Sequence, residues 1–123
     1  MQFPVTRMRR LRKNSKIRDI VRETKLQKED LIYPIYFKQD LEGDEKEEIS
    51  SLPGEFRYSL KSGVDFAKKL ESKGLKSIIV FGIPPEDEKD EIATPDYADT
   101  GIVQKAIREL KKQTNLVVIS DVC

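Results

Sequence analysis

Apolar residues recur along the chain in two rhythms. Ile17, Ile20, Val21 and Thr24 fall on one face at helical spacing, and Ser15 can cap a helix running from 16 to about 26. Leu60, Val64, Ala67 and Leu70 mark a second helix over 61–73. Ser59 or Ser62 can cap it, and Gly74 suits the left-handed position past its end. Ile102, Val103, Ala106, Ile107 and Leu110 mark a third over 101–113, with Thr100 to cap it and Asn115 to end it. Between the helices lie short apolar runs. Residues 31–37 are β-branched and aromatic and predict a strand; Pro34 removes one ladder donor, which points to a sheet edge or a local irregularity. Residues 75–81 and 116–119 carry uniformly apolar runs instead of alternating, the mark of strands buried on both faces. Residues 1–14 show no period and predict an extended arm. Residues 38–51 predict a polar, acidic loop, 52–54 a turn, and 82–99, with Pro84, Pro85 and Pro95, a second loop.

Strands that alternate with amphipathic helices imply parallel βαβ units and the α/β class. In such folds chemistry gathers just past the carboxyl ends of the strands. Ser120, Asp121, Val122 and Cys123 stand at that place after the last strand. Three strands and two helices cover one side of a sheet. The expectation is therefore the opening portion of a larger domain, or a domain that other chains complete.

Composition narrows the chemistry. The 123 residues include no His, no Trp and one Cys, which excludes an internal disulfide framework, a His-activated nucleophile and a His-ligated zinc. No apolar stretch is long enough to span a membrane. The basic N-terminus lacks the apolar segment of a secretory signal. A single thiol fits a reducing, cytoplasmic setting. The formal charge of +1 conceals an asymmetry: residues 1–22 carry eight basic groups against Asp19 alone, +7, leaving −6 for the remainder. Much of that acid lies in Asp40–Glu48 and Glu86–Glu91. A basic arm on an acidic body binds nucleic acid or reaches an acidic protein surface. No aromatic residue interrupts 7–22 for base stacking, which favours the protein surface.

The sharpest local motif is Asp121-x-Cys123. An Asp at a strand end can orient a substrate amine or pass a proton through water. A Cys two residues on points to the same side of an extended chain and, as thiolate, can bind zinc. The same residues also suit a strand-ending Asp and a small buried Cys. Gly-rich phosphate loops are absent. Lys28, Lys38, Lys76 and Lys89 carry no sign of a depressed pKa and read as solvated.

Several segments in register resemble one family. They are Arg9-Arg10-Leu11-Arg12, Ile17 to Thr24, Asp30 to Ile35, Ser51-Leu52-Pro53-Gly54, Val80 to Pro84, Lys89-Asp90-Glu91-Ile92, Gly101 to Gln104, and Ser120-Asp121-Val122-Cys123. Together they resemble the N-terminal part of porphobilinogen synthase, or 5-aminolevulinate dehydratase. The resemblance implies a (β/α)8 barrel preceded by an arm, with 1–27 as the arm and 28–123 as the first part of the barrel. It implies the condensation of two 5-aminolevulinate molecules into porphobilinogen with loss of water, on the way to heme. It also implies Schiff-base lysines late in the barrel, an arm that wraps a neighbouring subunit, and an octamer. By position, Asp121 matches an active-site aspartate beside a substrate amino group. Cys123 matches the first of three cysteines that hold a catalytic zinc. Phe81 matches a pocket-wall residue.

A barrel of this type needs ~250 residues, so only its first three strands fall within 123. The other zinc cysteines and both Schiff-base lysines have no counterpart here. Two other readings stay open: a non-catalytic assembly module that docks through the arm, and an unrelated α/β binding domain with Asp121 in a carboxylate magnesium site. The 123-residue polypeptide, purified free of any longer chain, is expected to form no porphobilinogen from 5-aminolevulinate. Turnover in that assay would overturn the expectation.

Overall fold

A computed structural model describes residues 4–6 and 8–121. Five strands form one sheet in the order β2-β3-β1-β4-β5. They are β1 (Ile32–Lys38), β2 (Lys46–Glu48), β3 (Phe56–Tyr58), β4 (Ser77–Ile83) and β5 (Val117–Ser120). β3, β1, β4 and β5 run parallel, and β2 closes the far side antiparallel to β3. The helices are α1 (Ser15–Ile20), α2 (Leu60–Ser72), α3 (Thr94–Tyr97) and α4 (Ile102–Gln113). Mixed α/β architecture was expected from the alternation of patterns, and it is found.

The core lies between one face of the sheet and the pair α2 and α4. Side chains alternate along a strand, so Ile35 and Phe37 of β1 and Ile78 and Val80 of β4 point the same way and are fully buried. They meet Val64 and Ala67 of α2 and Ala106 and Leu110 of α4. Gly63 lets α2 lie close: a Cβ there would strike the Phe37 ring. The aromatic group Tyr33, Tyr58 and Phe66 closes the α2 end, with Tyr58 stacked on Phe66 at 4.9 Å. The Tyr33 hydroxyl donates to the Glu55 carboxylate at 2.8 Å. Burial, then this bond and the Glu55 charge, push the Tyr33 phenol up to about 12.

Helix ends explain where the elements stop. The Ser59 hydroxyl, almost fully buried, accepts the Ser62 N–H at 3.1 Å and donates to the Gly43 carbonyl at 2.5 Å. One residue thus caps α2 and fastens the preceding loop. Gly74, at φ +94°, ends α2, with Leu75 N–H returning to the Leu70 carbonyl.

Several expectations need correction. Asn14, not Ser15, caps α1, through its side-chain oxygen and the Ile17 N–H at 3.0 Å, and α1 ends at Ile20 instead of near 26. The arm also holds one 3-10 turn, Arg10–Arg12. Gly101, with no side-chain bond, precedes α4 in place of Thr100. The acidic loop contains β2, and β3 follows the turn. Both are three residues long, too short to show a period.

β1 lies inside the sheet, not at its edge. Its odd-numbered N–H groups face β4, as Gln39 N–H to the Ile83 carbonyl shows, so position 34 faces away from β4. Pairing with β3 begins only at Tyr36. The donor that Pro34 lacks therefore has no partner to lose. The apolar strands are not buried on both faces. Ile79 and Phe81 are half-buried, and Val117 is 60% exposed. Only one face of the sheet carries helices among the described residues.

Gly63→Ala is expected to lower unfolding stability by about 1–3 kcal/mol, because the added methyl must displace a fully buried ring. Urea denaturation of the two forms reads this directly, and equal midpoints would contradict the packing described.

Candidate functional site at the strand ends

The bare face of the sheet carries a row of side chains set by strand register. Glu47 pairs with Arg57, Arg57 with Tyr36, and Tyr36 with Phe81. Val80 pairs with Ser120, which sets Asp121 beside Phe81, its N–H directed at the Val80 carbonyl at 3.5 Å. Five strands thus place Glu47, Arg57, Tyr36, Phe81 and Asp121 in one line near the carboxyl ends of the parallel strands.

The row has a charged end and an aromatic middle. Glu47 accepts from Arg57 Nη1 and Lys38 Nζ, each at 2.6 Å. Hydrogen bonds from Lys38 and then Arg57 hold its carboxyl below the ordinary range. Tyr36 and Phe81 stack at 5.3 Å with 21° between rings. Asp121 at the other end is exposed, and its carboxylate has no hydrogen-bond or ion-pair partner among the described residues.

A cavity of about 320 Å³ opens beside Asp121. Phe81, Gly82 and Val103 form its wall on the strand and helix side, and Lys89, Asp90, Ala93 and Pro95 form the wall on the loop side. Gly82 is required there, because a Cβ would strike Val103 of α4. The loop wall contains one 3-10 turn, Glu86–Glu88, and the single-turn α3. Gln39 Nε2 at the end of β1 donates to both Glu88 oxygens at 2.9 and 3.0 Å. Arg108 of α4 donates to the Asp99 carbonyl at 2.5 Å. A larger cavity of about 520 Å³ lies on the helix side, along Leu60, Val64 and Glu109. It also takes in Leu41–Gly43 after β1 and Lys61 after β3, but it opens between α2 and α4 on the helix-covered face, away from the row that ends in Asp121.

Of the three residues singled out in the sequence, Phe81 and Asp121 line one cavity. Cys123 lies outside the described residues. Sequence reasoning missed Tyr36, Arg57, Glu47 and Asp90, and it read Lys38 as solvated, whereas Lys38 is half-buried and paired with Glu47. Their signal is register and loop geometry, which no periodicity carries.

The family model for delta-aminolevulinic acid dehydratase matches residues 5–123. The chain belongs to the delta-aminolevulinic acid dehydratase family. The dehydratase of Methanothermus sociabilis is 56% identical over the whole chain, which covers 37% of that protein. The dehydratase of Bacillus subtilis strain 168 is 44% identical, with the same coverage. A solved dehydratase from Toxoplasma gondii ME49, in complex with the reaction product porphobilinogen, superposes with a TM-score of 0.86 at 28% identity, covering 99% of this chain and 33% of that one. The chain therefore spans about a third of the length of the relatives it matches, and its sheet is part of the TIM-barrel fold of that dehydratase.

A tetrahedral zinc site draws on thiolate, imidazole or carboxylate ligands. The chain has one Cys and no His, and among the described residues no three such groups converge. The described residues do not complete a metal site by themselves. No helix of the described residues is long and apolar enough to cross a membrane.

Glu47 supplies a pH test of the charged end. Its depressed carboxyl contributes stability above its unfolded pKa and loses it as pH falls through the lower folded value. The unsubstituted chain is expected to lose more stability on acidification below about pH 4.5 than Glu47→Gln. Parallel denaturation curves against pH for the two forms would contradict the bridge.

Proposed function

We propose that residues 1–123 form part of a porphobilinogen synthase, which joins two 5-aminolevulinate molecules into porphobilinogen with loss of water. The observation that carries this is Asp121, a carboxylate at a strand end with no partner among the described residues, sharing a cavity with Phe81 in a chain matched to the dehydratase family over 5–123.

In this reading Asp121 accepts hydrogen bonds from a substrate ammonium and fixes its direction. Phe81, braced by Tyr36, forms an apolar wall that limits water beside it. A charged hydrogen bond strengthens as the surroundings become less polar, so the two residues act together. Cys123 supplies one thiolate to a zinc ion; the remaining ligands are not among residues 1–123. The family's Schiff-base lysines match none of Lys28, Lys38, Lys76 or Lys89, so covalent catalysis is not assigned to this segment. The setting is cytoplasmic, with 5-aminolevulinate as the small-molecule partner and no nucleic acid or membrane.

Residues 1–27 serve as an arm that docks on another subunit of a homo-oligomer, an octamer in the complete enzyme. Val5, Leu11, Ile20 and Leu26 support this, being 62–86% exposed on a segment of strong positive charge. The same feature supports a second reading, in which the chain acts as an assembly module without turnover. Mixing it with the full-length Methanothermus sociabilis dehydratase and measuring particle size tests the docking.

The catalytic reading is tested in a chimera. Residues 1–123 replace the matching segment of the Methanothermus sociabilis dehydratase. The chimera is expected to form porphobilinogen, and Asp121→Asn is expected to lower kcat/KM by about 100-fold or more with the fold intact. A D121N chimera within about threefold of its parent would remove Asp121 from the site.

A further inference from the structure

The cavity beside Asp121 has one wall on strands and a helix and one on the loop 84–101. The loop has little of its own to hold its shape. Its two helical turns span three and four residues, below the length at which a helix sustains itself. Ile92 and Tyr97 are 71% and 64% exposed, so apolar burial does not anchor them. Yet Ala93, which lines the cavity, sits at φ 54° and ψ 44°, a left-handed conformation that is unfavourable for any residue with a Cβ. Such an outlier persists only where its surroundings over-determine it, and it invites a functional reading.

Gln39 and Arg108 tie the loop at Glu88 and Asp99, and around Ala93 one carboxylate does the holding. Asp90 accepts the Thr94 N–H at 2.8 Å and the Thr94 hydroxyl, and its own carbonyl accepts the Ala93 N–H at 3.2 Å. Thr94 Oγ1 in turn lies 3.2 Å from the Tyr97 hydroxyl. The turn 90–94 is thereby closed on both sides of Ala93. The bonds from Thr94 also keep Asp90 ionised, its carboxyl lying below the ordinary range.

We propose that Asp90 is a positioning residue for substrate binding: by bracing Ala93 it sets the loop wall of the Asp121 cavity. This rests on the dehydratase reading and deepens it. Asp90 lines that wall itself, but both of its carboxylate oxygens are engaged by Thr94, so its effect passes through Ala93 and Pro95. Loss of the brace lets the loop wall relax outward, so substrate is held less well while the chemical step is spared.

The experiment uses the same chimera. Asp90→Asn leaves a poorer acceptor for the two Thr94 donors and is expected to raise KM for 5-aminolevulinate about tenfold with kcat within about twofold. Glycine occupies the left-handed region without the penalty. Ala93→Gly in the Asp90→Asn background is therefore expected to restore KM to within about threefold of the parent. Amide exchange at Thr94 is expected to quicken in Asp90→Asn. An active chimera in which Asp90→Asn leaves KM unchanged, lowers kcat alone, or is not rescued by Ala93→Gly overturns the inference and leaves the dehydratase reading standing. A parent chimera without turnover overturns that reading and this inference with it.

Discussion

Seven consecutive residue pairs, Ile32 with Ser77 through Lys38 with Ile83, lock β1 to β4 in parallel register. The rest of the molecule takes its position from that ladder. Because side chains alternate, the register sends Ile35, Phe37, Ile78 and Val80 to one face, where burial demands a cover. Helices α2 and α4 supply it. The opposite face receives Pro34, Tyr36, Ile79 and Phe81 by the same rule. A slip of one residue would exchange the two sets, burying the row that ends in Asp121 and exposing the core. Position of the site and stability of the fold are therefore one constraint.

Much of this was legible in the sequence. The apolar faces of α2 and α4 are long and periodic, and their buried members agree with the pattern. The positions of β1, β4 and β5 follow from apolar runs between turn signals. What the pattern could not convey was pairing. β2 and β3 are three residues each, and their charged residues, Glu47 and Arg57, resemble a solvated loop until partners are known. Burial on both faces was misjudged for a related reason: a uniformly apolar run states that both faces avoid water somewhere, not that this chain supplies both covers. Caps went astray by one residue where two polar side chains stand in sequence, as at Asn14 and Ser15.

The site was legible in part. Asp121 stood out because it stands just past an apolar run, whereas Phe81 was reached only through the family resemblance. Asp90 did not stand out, since it sits in a cluster of acids that reads as solvent-facing and only its bonds to Thr94 distinguish it. Charge was informative at the level of segments. The arm and the body separate cleanly by sign, whereas individual ion pairs on the surface, such as Arg22 with Asp19, are of the weak, screened kind.

Pro34 guards the one stretch of β1 that β3 leaves open. On the side of β1 away from β4, a strand arriving below Tyr36 finds one amide donor absent, so that flank is a poor template for strand addition. β5 has no comparable safeguard: its outer flank carries four residues without proline, Val117–Ser120, and no described strand pairs with it there. The outer flank of β5 can therefore accept a further parallel strand, as closing a barrel requires, and a proline within Val117–Ser120 would hinder that addition.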